Sequence, residues 1–216
     1  VATRQNNLGR ICDSGIVAVI RAKDSAHLVA VADAIKKGGV DCIEVTMTTP
    51  DALSVISEVA KKYGDEVLIG VGSVLDAETA RAAILAGAQF VVAPTLDLRV
   101  IEMSHRYDRV VIPGTFSPTE ILTAWSAGAD LVKLFPATKL GPGYIKDIRG
   151  PLPQVRLVPT GGVDLSNAGD FIKAGAAALA VGTAMIDSRA VAEGRFDVVT
   201  ETAGRFVEAV RGARAA

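Results

Sequence analysis

Short β-rich apolar runs alternate with helical patterns along the whole chain, and this alternation constrains the fold more than any other feature. Strands are expected near residues 16–21, 41–46, 67–73, 89–94, 109–113, 130–135, 155–160 and 177–182. Their starts lie 25, 26, 22, 20, 21, 25 and 22 residues apart. Amphipathic stretches such as 25–37, 50–63 and 77–86 separate them, one helix (4–14) precedes the first strand, and one (191–211) follows the last. The strands are apolar at successive positions, as parallel strands covered by helices on the outside must be. Eight strand–helix units in 216 residues imply an α/β fold, a single (β/α)8 TIM barrel over residues 1–216 with an extra N-terminal helix. A doubly wound open sheet has the same alternation. The first strand is not followed by G-x-G-x-x-G, which argues against dinucleotide binding.

An internal repeat favours the barrel. Gly39, Gly87, Gly128 and Gly175 each end a helical pattern and begin the second, fourth, sixth and eighth strands, 48, 41 and 47 residues apart. Glycine suits the left-handed residue that closes a helix. Five residues past each glycine stand Glu44, Val92, Lys133 and Ala180. Side chains from alternate strands of a barrel share an interior layer, so these four are expected together. Thr46, Pro94, Phe135 and Gly182 then form the next layer, toward the strand C-terminal ends where barrel enzymes hold their active sites.

An amine in Leu131-Val132-Lys133-Leu134-Phe135 is costly to bury charged. Burial lowers its pKa and supplies the neutral nucleophile that imine formation requires. Glu44, within Ile43-Glu44-Val45-Thr46, is as enclosed and is placed to relay protons. The alternatives are a buried structural ion pair, or a Lys133 that points outward among the helices. Val132 and Leu134 suit the outward face better.

Gly161-Gly162 follows the seventh strand and Gly182-Thr183 the eighth. Backbone amides in such turns favour an oxyanion, and these two loops are the usual phosphate site of a barrel; the alternative is plain turns. Arg21 ends the first strand, where it either clamps a carboxylate or makes a rim salt bridge. Ser73 ends the third and either bonds a ligand or caps a helix. Thr49 and Pro50 read as the cap and first residue of a helix, and Trp125 reads as packing.

Lys+Arg 23 against Asp+Glu 24 gives net charge −1, which carries no nucleic-acid or membrane footprint. Cys12 and Cys42 read as buried or half-buried thiols of a cytoplasmic protein. His27 and His105 both read as surface histidines of helices with no carboxylate or cysteine cluster, so no metal site is expected.

Five segments together resemble the class I 2-keto-3-deoxy-6-phosphogluconate aldolases and their relatives acting on phosphogalactonate or 4-hydroxy-2-oxoglutarate: Glu44-Val45-Thr46, Gly70-Val71-Gly72-Ser73-Val74-Leu75, Lys133-Leu134-Phe135-Pro136, Gly141-Pro142-Gly143-Tyr144-Ile145-Lys146 and Pro159-Thr160-Gly161-Gly162-Val163. The resemblance covers nearly the whole chain. It implies a (β/α)8 barrel, a homotrimer without metal or organic cofactor, and a place in Entner–Doudoroff carbohydrate metabolism. It implies that Lys133 is the Schiff-base lysine and Glu44 the general acid/base. Ser73, Pro94, Phe135 and Thr160 would line the pyruvate end of the substrate. Gly161, Gly162 and Thr183 would hold the phosphate end, with Gly182 beside them.

Two positions depart from the common pattern. Thr48 stands where many members carry arginine four residues past the glutamate, and Arg21 matches members that place it at the end of the first strand. Ser73 stands where threonine is usual. The implied reaction is cleavage of 2-keto-3-deoxy-6-phosphogluconate to pyruvate and glyceraldehyde 3-phosphate, the C4 epimer being left open. Rival readings are a phosphosugar isomerase or epimerase on the same barrel, and a non-catalytic binder of phosphorylated ligands.

Overall fold

The computed structural model describes residues 3–21 and 27–215. Its strands are β1 (Ile16–Ile20), β2 (Cys42–Thr46), β3 (Leu68–Gly72), β4 (Phe90–Val92), β5 (Val110–Ile112), β6 (Gly114–Thr115), β7 (Val132–Leu134), β8 (Leu157–Pro159) and β9 (Leu179–Val181). Its helices are α1 (Arg4–Ser14), α2 (Leu28–Lys37), α3 (Ala52–Tyr63), α4 (Ala77–Ala86), α5 (Leu98–Arg106), α6 (Pro118–Ser126), α7 (Gly141–Arg149), α8 (Ala168–Lys173), α9 (Ser188–Ala192) and α10 (Phe196–Ala215). Every strand pairing is parallel. Six strands run in the order β5-β4-β3-β2-β1-β9, and three in the order β6-β7-β8. The result is an α/β fold built on a curled parallel sheet.

Alternation along the strands sorts the core into two faces. Ile16, Ala18, Ile43, Val45, Ile69, Val71, Val132 and Leu134 pack outward in a cluster with the helices. Val17, Cys42, Leu68, Phe90, Val92, Leu131, Val158 and Ala180 form a second cluster on the concave face. α1 sends Leu8 and Ile11 into this second cluster. Each such side chain stabilises the fold by about 1.5–3 kcal/mol relative to exposure. Helix α1 thereby packs against the concave face where β2 and β3 begin, with Cys42 and Leu68. Among the described residues, no helix is long and apolar enough to cross a membrane.

Gly39, Gly87, Gly128 and Gly175 all have positive φ, at 90°, 122°, 93° and 101°. The repeat thus reports a real backbone device that turns each helix into its strand.

Five expectations need correction. The fifth strand is split: Pro113, which has no N–H to donate, separates β5, paired with β4, from β6, paired with β7. Thr49 and Pro50 do not open α3. That helix begins at Ala52, behind Asp51 with φ 55° and no side-chain cap bond. The last helical stretch is two helices, because Gly194 adopts φ 71° between α9 and α10. His105 is not a solvated surface residue: it is half-buried on α5, with Nε2 3.7 Å from the carboxylate of Asp130. His27 precedes α2 rather than lying within it, and residues 25 and 26 of the expected helix fall outside the described residues. Trp125 packs partly buried against the core, as read.

Candidate active site

Glu44 is the central residue of β2, facing the concave side between outward-facing Ile43 and Val45. It is 1% exposed, and its Oε2 is buried without a hydrogen-bond partner. The strand register sets it between Val19 and Gly70. Its carboxylate also fills the space over Gly72: a Cβ built there would stand 1.7 Å from Glu44 Oε1. Glycine at 72 is therefore required by the carboxylate. Gly72→Ala is expected to cost about 1–3 kcal/mol of stability by overpacking and to lower turnover by displacing Glu44. Thermal melting and steady-state rates on the purified variant check both.

Lys133 is the central residue of β7 and is 6% exposed. Its Nζ lies 4.9 Å from the centroid of the Phe135 ring. Burial pushes the amine below the ordinary lysine range; Glu44 opposes that shift and Arg21 adds to it. Burial likewise pushes the Glu44 carboxyl upward, against the charges of Lys133 and Arg21. Desolvation outweighs attraction at both groups, so both are biased toward their neutral forms. No salt bridge joins the two, so the closed structural ion pair is not what the fold holds.

A cavity of about 180 Å³ is lined by Val19, the register partner of Glu44, and by Phe135, whose ring lies against the Lys133 amine; Glu44 and Lys133 themselves do not line it. It takes in Arg21, Phe135, Thr160, the Gly161–Gly162 pair, Gly182 and Thr183. Gly161 and Gly162 both have positive φ, at 87° and 73°. The backbone N–H groups of Gly161, Gly162, Val163 and Thr183 donate to no described backbone acceptor. The cavity thus combines a guanidinium, a ring over a neutral-biased amine, and unspent amide donors suited to an oxyanion.

The model of the aldolase family described as KDPG and KHG aldolase matches residues 9–202. The chain belongs to this family. A 2-dehydro-3-deoxy-phosphogluconate aldolase from Treponema pallidum is 35% identical to it over 196 residues, covering 90% of this chain and 91% of the relative. A 2-dehydro-3-deoxy-6-phosphogalactonate aldolase from Escherichia coli is 33% identical over 169 residues, covering 78% and 82%. A KDPG aldolase structure from Legionella pneumophila, with pyruvate captured at low pH as a covalent carbinolamine intermediate, superposes with a TM-score of 0.85. It is 26% identical and covers 92% of this chain and 96% of its own.

The remaining sequence candidates in this aldolase, Ser73 and Pro94, do not line the cavity. Ser73 directly follows β3 and has φ 58°, a conformation uncommon for a residue with a side chain. It caps no helix, because Asp76 caps α4 by accepting from the Thr79 N–H at 2.6 Å. Pro94 follows β4, and Gly114 comes so near that a Cβ on it would lie 2.3 Å from the Pro94 carbonyl oxygen. Thr48, in the position of the missing arginine, accepts or donates a 2.9 Å hydrogen bond with buried Thr46. Sequence reasoning missed Gly72, whose role follows from a contact with a residue on another strand. It also missed Asn167, whose side chain bonds Gly162 and Asp164. Its visible signal is an asparagine just before a helix and three residues after an aspartate, a pattern that ordinarily means a cap.

Proposed function

We propose that this chain is a class I aldolase that cleaves 2-keto-3-deoxy-6-phosphogluconate to pyruvate and glyceraldehyde 3-phosphate, with Lys133 as nucleophile and Glu44 as general acid/base. The observation that carries the reading is the pair itself: a buried amine and a buried carboxyl within range of each other's charge, with no salt bridge between them, and Phe135 linking the amine to a cavity lined by amide donors. Neutral Lys133 attacks the C2 ketone to give a carbinolamine, which loses water to form the iminium. Glu44 takes the C4 hydroxyl proton, and the C3–C4 bonding pair moves into the iminium to leave an enamine. Glyceraldehyde 3-phosphate departs. The enamine is protonated at C3, and hydrolysis releases pyruvate and returns the lysine.

In this reading Arg21 pairs with the substrate carboxylate, while Ser73, Pro94, Phe135 and Thr160 enclose the pyruvate portion. Gly161, Gly162, Gly182 and Thr183 hold the phosphate. The architecture proposed is one domain in which the curled sheet closes as a (β/α)8 barrel. Its support is the continuous chain through Pro113 at one seam and the parallel Thr160–Ala180 bridge at the other. A homotrimer is proposed on family membership.

A second reading, cleavage of the phosphogalactonate epimer, is favoured by the Gly141-Pro142-Gly143-Tyr144 segment, which resembles phosphogalactonate-cleaving relatives, and by the 33% identity to one of them. Pyruvate release from the two epimers, followed with lactate dehydrogenase, separates the readings. Release from the gluconate epimer is expected, faster release from the galactonate epimer would favour the second reading, and release from neither would overturn both.

Arg21 also bears on the lysine. Arg21→Met removes a charge that helps hold Lys133 low. The pH at which pyruvate trapping reaches half its maximum should therefore rise, together with the KM for the keto acid. An unmoved midpoint would place the guanidinium outside the site.

A further inference from the structure

We infer that Asn167 is a positioning residue that sets the geometry of the phosphate-binding turn; the inference rests on the aldolase reading above. Asn167 does not line the cavity and acts through the backbone. Its Nδ2 donates to the Gly162 carbonyl at 2.8 Å, and its Oδ1 accepts from the Asp164 N–H at 2.9 Å. One partner is an acceptor and the other a donor, and the amide meets them with two separate atoms, Nδ2 and Oδ1, which neither a carboxylate nor an alkyl side chain can do.

The consequence follows from peptide geometry. In a trans peptide the carbonyl and the next N–H point in opposite directions. Holding the Gly162 carbonyl toward Asn167 turns the Val163 N–H the other way, and Gly162 and Val163 both line the cavity. That N–H donates to no described backbone acceptor. The turn has no strong preference of its own, because Gly161 and Gly162 are the least restricted residues a chain has. Its conformation has to be held from outside. Thr138 does so by contact on one side, where a Cβ at Gly162 would stand 2.7 Å from the Thr138 Cα. Asn167 does so by hydrogen bonds on the other.

The position of Asn167 strengthens the inference. It is the N-cap residue of α8, where asparagine ordinarily accepts from a first-turn N–H. Here it makes no side-chain cap bond, and its polar atoms serve the turn instead.

The test uses the condensation direction, which separates a phosphorylated partner from an unphosphorylated one. In Asn167→Ala, KM for glyceraldehyde 3-phosphate should rise about tenfold, the scale of one lost hydrogen bond. KM for pyruvate and borohydride trapping of pyruvate on Lys133 should stay at wild-type values. Asn167→Asp keeps the acceptor for Asp164 and loses the donor to Gly162, so it should show the same selective rise, and it carries the test if the alanine variant does not fold. Equal changes in both KM values, or none, would overturn the role of Asn167. Failure of the wild type itself to trap pyruvate would instead overturn the aldolase reading on which it rests.

Discussion

Lys133→Met is expected to lose turnover by about five orders of magnitude, the scale seen when a covalent nucleophile is removed, while remaining folded. Methionine keeps most of the volume of the lysine stem and carries no charge into a site that is 6% exposed. No salt bridge is broken, so no partner is stranded. The substitution should be neutral or stabilising, because the cost of desolvating the amine disappears. The pH dependence of stability should change as well. With its native pKa lowered, Lys133 binds fewer protons folded than unfolded. The wild type therefore gains stability as pH rises from that lowered pKa toward the ordinary lysine value. The methionine variant should lose this rise in denaturant titrations across the alkaline range. A variant retaining substantial turnover would remove Lys133 from the mechanism.

Glu44→Gln carries the second largest expected effect. Proton transfer at the C4 hydroxyl should slow by about 10²–10⁴-fold, the usual worth of a general acid/base. Imine formation depends on the amine, so pyruvate trapping should persist. Its pH midpoint should move down, because the carboxylate is the influence that raises the pKa of Lys133 against burial. Arg21→Met should move the same midpoint up. Opposite displacements from two neighbours of one amine are a sharper signature than either loss of rate. Equal turnover in Glu44→Gln and wild type would remove the carboxylate from the reaction.

Much of this arrangement is legible in the sequence because it depends on periodicity. The four glycines with positive φ mark equivalent points on four strands, and counting five residues from each reaches Glu44, Val92, Lys133 and Ala180. Val92 and Ala180 pack in the concave cluster, and Glu44 and Lys133 are influenced by each other's charge. Helices α1 and α4 have the expected limits, since Thr3 and Asp76 cap them with side-chain bonds and Gly15 and Gly87 end them.

Other features arise from contacts that no local pattern announces. The Thr49-Pro50 pair has the composition of a helix start, yet Thr46, Thr48 and Thr49 share hydroxyl bonds at the end of β2 and the chain turns at Asp51 before α3 begins. Gly72 is a glycine because a carboxylate from β2 occupies its side-chain space. Asn167 looks like a cap and is spent on a turn five residues back. Ser73 reads evenly as cap or ligand group, and only its φ of 58° with a separate cap at Asp76 sets it apart from the helix. Local propensity is silent on each of these, since the deciding partner is distant in sequence or the side chain has two uses.

The most direct test of the central claim is borohydride reduction in the presence of pyruvate, followed by peptide mass mapping. The account predicts one reduced pyruvate adduct, on Lys133, absent from Lys133→Met and formed at a lower pH midpoint in Glu44→Gln. No adduct on folded wild-type protein, or an adduct on any other lysine, would contradict it.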